Sequence, residues 1–179
     1  MKSEISWFLE NLKNKEPFCY VRFNDGEMMG ISMKNAVVAR GDQIVNEELK
    51  SKLKKAISHK QKNYYVGIPC SKCYPKFNKL AKELTGDYKN IKSAVSLTNR
   101  NWKDFHDNFP LVMGEKRVLW IGGKDQNTEK LKDYGLNIVK TILVPNKNSW
   151  NFYDKIKEVS KTFLEEVDVV CVSLGPTAR

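Results

Sequence analysis

Apolar positions along the chain recur with two alternating rhythms, and the switches between them mark out the elements. A helical spacing places Ile5, Phe8, Leu9 and Leu12 on one face and predicts a helix over Ser3–Lys15, stopped by Pro17. Phe18–Phe23 reads as a strand, Asn24-Asp25-Gly26 as a turn, and Glu27–Met33 as a short helix. Ala36–Ala39 is a short apolar run before a turn at Gly41-Asp42. Leu49, Leu53, Ala56 and Ile57 then predict a helix over Asn46–Ser58. The alternation continues with strands at Tyr64–Ile68, Ser93–Leu97, Arg117–Ile121, Asn137–Val144 and Val167–Leu174. Helices are predicted at Pro75–Leu84, Trp102–Asn108, Thr128–Tyr134 and Trp150–Glu165.

Apolar, β-rich runs that alternate with amphipathic helices predict an α/β fold. It is Rossmann-like, a mostly parallel sheet with helices on both faces. No internal repeat or linker interrupts the pattern, and 179 residues suit a single domain. With 41% hydrophobic and 29% charged residues the composition is globular. No apolar run reaches the length of a membrane span. The polar start Met1-Lys2-Ser3-Glu4 lacks a secretory h-region, so a cytoplasmic location is expected.

The formal net charge of +10 permits phosphate-bearing partners. The basic residues are spread from Lys2 to Arg179 without a block of five or six, and there is no zinc-finger or RNP-like spacing. Solvated lysines on helix faces are therefore the simpler reading, and nucleic acid is not indicated. Of the four cysteines, Cys19 and Cys171 lie in apolar runs and read as small buried hydrophobes.

Ligands of open parallel sheets bind beyond the C-terminal strand ends, and three such ends carry suggestive chemistry. At the first, Asp25 and Glu27 flank Gly26, so two carboxylates on a tight turn can face one hard cation, Mn²⁺ or Mg²⁺. Arg22, three residues earlier, can contact a diphosphate or orient a carboxylate. On pattern alone a polar turn with a capping Asp25 is the commoner explanation. At the last end, Gly175-Pro176-Thr177 follows a strand and offers backbone N–H groups and a hydroxyl to phosphate, if a helix begins there. The middle end, Gly122-Gly123-Lys124, lacks P-loop or dinucleotide-binding spacing.

Together these segments resemble the GT-D-type glycosyltransferases, a Rossmann-like family with a D-x-E metal motif near its start. The resemblance runs through Val21-Arg22-Phe23-Asn24-Asp25-Gly26-Glu27, Arg100 in Leu97-Thr98-Asn99-Arg100, Pro145 with Asn148 and Trp150, and Ser173-Leu174-Gly175-Pro176-Thr177-Ala178. It implies transfer of a sugar, a hexose, from a nucleoside-diphosphate donor such as a UDP-sugar to a glycan, glycoprotein or lipid-linked acceptor. By that resemblance Asp25 and Glu27 hold the metal on the donor diphosphate; charge builds on that leaving group, so the metal together with Arg22 would stabilise it in catalysis. Gly122, Gly175, Pro176, Thr177 and Arg100 take the donor. Asp42 and Asp125 are the candidates for the base, although solvated turn residues are the simpler reading of both.

The chain departs from the family pattern in two places. Asn24 stands where the family usually has glycine, and Asn tolerates a left-handed turn better than most residues. Family members also resemble a longer protein, continuing with a helix and a strand after Ala178. A domain cut short at Arg179, with an incomplete phosphate site at Thr177, is the resulting expectation.

Two readings compete. Cys70-Ser71-Lys72-Cys73, between a strand and a helix, resembles a thioredoxin-like redox site with its first cysteine at a helix N-terminus. A non-enzymatic phosphate- or polyanion-binding module would need no metal site at all.

Overall fold

The computed structural model describes residues 5–14, 17–33, 36–38, 43–95 and 102–178. The chain begins with α1 (Ser6–Lys13), β1 (Cys19–Arg22) and α2 (Asp25–Ser32). Two short strands follow, β2 (Val37–Val38) and β3 (Gln43–Ile44), and then α3 (Glu47–Ile57), β4 (Tyr64–Ile68), α4 (Pro75–Thr85) and β5 (Ile91–Ser93). The second half runs α5 (Trp102–Met113), β6 (Val118–Gly123), α6 (Thr128–Asp133), β7 (Ile138–Val144), α7 (Tyr153–Lys161) and β8 (Val169–Ser173). Two 3-10 turns, Ser149–Phe152 and Gly175–Ala178, lead into α7 and follow β8.

The mostly parallel pairing is present, but the strands are shared between two sheets. One has the order β1-β4-β5 and the other β7-β6-β8, both parallel throughout. A separate antiparallel ladder joins β2 to β3. Parallel strands need crossovers, and helices supply them: α4 between β4 and β5, α6 between β6 and β7. Helices pack on the sheets, as in an α/β fold.

The side-chain period of a strand explains the layering. In β6, Val118 packs with Leu12, Phe109, Val112 and Met113 of α1 and α5 on one face, while Leu119 and Ile121 pack with Ile156 of α7 on the other. In the first sheet Val21, Val66 and Ile68 share a core with Met28 and Ile31 of α2, Leu49 and Leu53 of α3, and Ala81 of α4.

Several boundaries differ from expectation. Helix α5 runs past Asn108 to Met113 and contains Pro110. The strand expected at Ser93–Leu97 is instead Ile91–Ser93, because Ile91 registers with Val66 and Ser93 with Ile68. Residues 96 and 97 lie outside the described ones, as does the Gly41-Asp42 turn. The helix expected over Trp150–Glu165 is α7, preceded by a 3-10 turn and followed by turns after Lys161. Cys19 is exposed rather than buried. Cys171 packs beside the core, and burial pushes its thiol up to about 11. Among the described residues no helix is long and apolar enough to cross a membrane.

The register of β8 on β6 is fixed at the strand starts. Asp168 N–H donates to Arg117 O at 2.8 Å. In return Arg117 donates from its backbone N and its Nε to Asp168 Oδ2 (2.8 and 3.2 Å), and from Nη2 to Oδ1 (3.0 Å). These bonds, the guanidinium first, lower the Asp168 carboxyl from its ordinary value to about 2. A lowered carboxyl pKa stabilises the fold above the unfolded value near ~3.9 and loses that stabilisation as pH falls toward 2. Both side chains are more than a third exposed, so solvent screening limits the contribution to about 1 kcal/mol or less. Asp168→Asn should therefore lower unfolding free energy by about that amount at neutral pH, with the difference shrinking between about pH 4 and pH 2. Denaturant titrations across that range check it, and a difference independent of pH would contradict it.

Candidate functional site

The first strand end is built from Arg22 to Glu27. Phe23, fully buried, donates its N–H to Gly67 O at 2.8 Å and so carries the β1–β4 ladder one residue past Arg22. Asn24 is extended (φ −121°) and starts α2 at once, so Asp25, Gly26 and Glu27 are the first three helical residues rather than a free turn. No left-handed backbone is needed at Asn24, where the family resemblance sets glycine. Gly26 is not needed for space either, since a Cβ there would meet only the Val38 Cβ at 4.0 Å.

This placement separates the two carboxylates. Residues two apart on a helix do not share a face. Asp25 is exposed, whereas Glu27 is 6% exposed. Glu27 Oε2 accepts the Asn24 backbone N–H at 2.9 Å, the carboxylate half of a capping box. Both acids lie in the first helical turn, where negative charge offsets the positive end of the helix dipole. Each therefore has a structural duty besides any cation.

One neighbouring polar atom is less well served. Among the described residues, Arg22 Nε is buried and has no hydrogen-bond partner. It is a cationic donor and borders the acids, whereas the Asn24 side chain faces the Glu27 backbone N–H in the other half of the capping box. A buried group left unpaired costs about 1–3 kcal/mol, so such groups usually face something that satisfies them. The atoms that could ligate a cation here, the carboxylates of Asp25 and Glu27, are oxygens, the set that Mn²⁺ and Mg²⁺ prefer. Among the described residues there is no cluster of three or more acidic, histidine or cysteine side chains suited to a metal. A hard cation at this end would keep water or phosphate oxygens in its shell.

The other two strand ends meet in a small cleft of about 140 Å³, lined by Gln43, Gly123, Gln126, Asn146, Ser173 and Gly175 among others. Gly122 and Gly123 make room for side chains of this chain. A Cβ at Gly122 would lie 2.0 Å from Gln126 Oε1, and one at Gly123 would lie 1.8 Å from Asn146 Oδ1. Gln126 accepts from Trp120 Nε1 (2.9 Å) and donates to Ser173 Oγ (2.9 Å), which ties the end of β6 to the end of β8. Asn146 Nδ2 donates to Asp125 at the same edge. Neither Gln126 nor Asn146 was singled out by the sequence, and their signal is only that a polar residue follows a strand end, that of β6 for Gln126 and of β7 for Asn146.

Among the described residues, no long helix opens at Gly175-Pro176-Thr177. Gly175 is left-handed (φ 54°) and begins a four-residue 3-10 turn in which Pro176 and Thr177 are buried. The Thr177 hydroxyl is engaged inside the protein. It accepts from Ser149 Oγ at 2.9 Å and donates to Gln43 Oε1 at 3.3 Å, and Gln43 Oε1 also receives the Trp150 N–H at 3.4 Å. Ile44 N–H donates to Asn148 Oδ1 at 3.0 Å, with Asn148 left-handed (φ 49°). The same 3-10 turn packs against α2 and α3. The segments around Asp25, around Asn148 and Trp150, and around Thr177 are thus held together, with Gln43 at the junction. Arg100 and Asp42 lie outside the described residues.

A larger groove, about 310 Å³, runs between α1 and α5 beside Leu9, Lys13, Val112 and Glu115. Glu115 and Lys116 immediately precede β6, so this groove belongs to the opposite end of the sheet from Gly123. The redox geometry is also not met. Helix α4 has Tyr74 as its cap and Pro75 as its first residue, so Cys70 sits in the preceding turn and not at the helix N-terminus.

Comparison with known proteins accords with this arrangement. A family model described as a GT-D fold-like domain matches residues 4–179. A solved selenomethionine-substituted structure of domain of unknown function 1792 is similar with a TM-score of 0.72 and 18% identity, over 94% of this chain and 68% of that one. At that identity the likeness is one of fold. No curated protein matches. From its first described helix to its last turn, the chain belongs to the GT-D-like family.

Proposed function

We propose that this chain is a metal-dependent glycosyltransferase that moves a sugar, a hexose, from a nucleoside-diphosphate donor, a UDP-sugar, to a glycan, glycoprotein or lipid-linked acceptor. Family membership supports the reaction class. The observation that carries the site is the unpartnered buried Arg22 Nε beside Asp25 and Glu27.

In this reading Mn²⁺ or Mg²⁺ would be held by Asp25 and Glu27, with the rest of its shell supplied by water or phosphate oxygens, and would neutralise charge on the departing diphosphate. Arg22 supplies the complementary donor. Its guanidinium is permanently charged and can hold a phosphate oxygen as negative charge accumulates. Glu27 acts on two levels, because the oxygen that caps α2 also fixes where the remainder of its carboxylate lies. The cleft at Gly123 and Gly175 is smaller than the roughly 300 Å³ at which ligand pockets begin, so it takes a portion of the donor, with Gly122 providing space for Gln126. Pro176 and Thr177 position Gly175 from below the cleft surface. Asp125, exposed beside Asn146, is the described candidate for the acceptor's proton. Arg100 keeps the donor-binding role implied by the family resemblance.

Calorimetric titration with UDP and Mn²⁺ tests the reading. Asp25→Ala should weaken metal-dependent binding by about tenfold or more, the loss of one charge-assisted contact, with little change in unfolding free energy. Glu27→Ala should lower both binding and stability, the latter by about 1 kcal/mol for the lost cap. Glu27→Gln, which preserves a capping acceptor, should recover stability more fully than binding. Unchanged Mn²⁺-dependent binding in Asp25→Ala would sink the proposal.

The buried position of Thr177 generates a separate expectation. Thr177→Val should destabilise the fold by about 1–3 kcal/mol, because Ser149 and Gln43 lose a buried partner. UDP affinity measured well below the unfolding temperature should change little. A large loss of affinity without loss of stability would place the hydroxyl on the donor instead.

A further inference from the structure

The excess positive charge is not distributed like the lysines themselves. Residues 50–92 contain twelve lysines, no arginine, and two acids, Glu83 and Asp87, for a net of +10. That equals the formal net charge of the whole chain, so the remaining residues balance to zero, with nineteen basic and nineteen acidic side chains. The nearest acids before this stretch are Glu47 and Glu48, in the first turn of α3.

The fold gathers this charge on one surface. Leu49, Leu53 and Ile57 of α3 and Ala81 of α4 are buried in the same core, and the two helices touch. With both apolar stripes turned inward, the outer sides carry Lys54 and Lys55 on α3 and Lys76 and Lys79 on α4, all exposed. Lys72 extends the patch into the turn before α4, and Lys82 flanks it. Of the lysines in this stretch, Lys60 is paired with Asp87 at 2.6 Å and Lys50 lies 3.8 Å from Glu47. Tyr74, 39% exposed and stacked on Phe77, stands between Lys72 and Lys76.

We infer that the outer face of α3 and α4 docks the protein on an anionic lipid surface. The choice of residue favours lipid over nucleic acid. Arginine is the residue suited to bidentate phosphate recognition, and it is absent here, whereas lysines act as mobile point charges toward a diffuse negative surface. A half-exposed tyrosine set among lysines suits the boundary between headgroups and acyl chains. The absence of a long apolar helix among the described residues is compatible with a protein that lies on a membrane without crossing it. This docking role does not depend on the sugar-transfer reading.

Vesicle sedimentation with the full chain is the test. At about 0.1 M salt, binding is expected to phosphatidylcholine vesicles containing phosphatidylserine and not to pure phosphatidylcholine vesicles. The triple variant Lys54→Glu, Lys55→Glu, Lys79→Glu should lose about a hundredfold or more in binding, since each lysine near such a surface is worth roughly fivefold. The matched variant Lys155→Glu, Lys157→Glu, Lys161→Glu, on α7, where Asp154 and Glu158 leave a net charge of only +1, should bind within a few-fold of the unmodified protein. Circular dichroism should show both variants folded, because every substituted side chain is exposed. Equal binding by the two variants, or no binding to phosphatidylserine vesicles, would overturn the inference. Salt-sensitive binding to a nucleic-acid duplex with none to the vesicles would overturn it in favour of a polymeric phosphate.

Discussion

The carboxamide oxygen of Gln43 is the point on which the arrangement of the site depends. It receives the Thr177 hydroxyl and the Trp150 N–H in a buried setting, and Ser149 donates to the same Thr177. These residues come from β3, from the turn after β7 and from the turn after β8. Removing one partner would strand the others without solvent, which makes such a network all-or-none in character. Its consequence is geometric: the terminal 3-10 turn is held against α2, whose first turn carries Asp25 and Glu27.

The chemistry of that edge divides between atoms that are already satisfied and one that is not. Thr177, Gln126 and one oxygen of Glu27 are engaged within the protein. Arg22 Nε is buried without a partner among the described residues. In the proposed function the first group holds the shape and Arg22 faces the donor's phosphate. The D-x-E pattern then works through two different positions, an exposed carboxylate at Asp25 and a buried helix cap at Glu27, rather than through two equivalent ligands.

Much of the fold was legible because period-2 and period-3.6 patterns are local. Val118–Ile121 could be read as a buried strand, and Leu49, Leu53 and Ile57 as a helix face, without knowing their neighbours. The division into two sheets was not legible, since periodicity does not encode which strand lies beside which. Nor was β3, whose two residues are too few to show a period. Asn24-Asp25-Gly26 was misread as a turn because the residues that favour turns also cap helices, and only the extended φ of Asn24 decides between them. The glycines at 122 and 123 were visible, but their reason was not. They give way to Gln126 and Asn146, contacts that exist only once β6 and its neighbours are assembled. Gly30 is similar: Val45 and Leu53 lie 3.1–3.3 Å from where its Cβ would be, so it lets α2 approach α3. The charge of residues 50–92 was present in the sequence throughout, and became a surface only when α3 and α4 were found side by side.

The central claim is that the Arg22–Glu27 end of β1 binds a metal-linked diphosphate. A crystal structure of the protein with UDP and Mn²⁺ addresses it most directly. Expected there are a cation with an Asp25 carboxylate oxygen at about 2.0–2.3 Å, a diphosphate oxygen in the same shell, and a hydrogen bond donated by Arg22 Nε to the diphosphate, with none from the Thr177 hydroxyl. Nucleotide bound instead in the groove between α1 and α5, or bound at β1 with no cation beside Asp25, would contradict it.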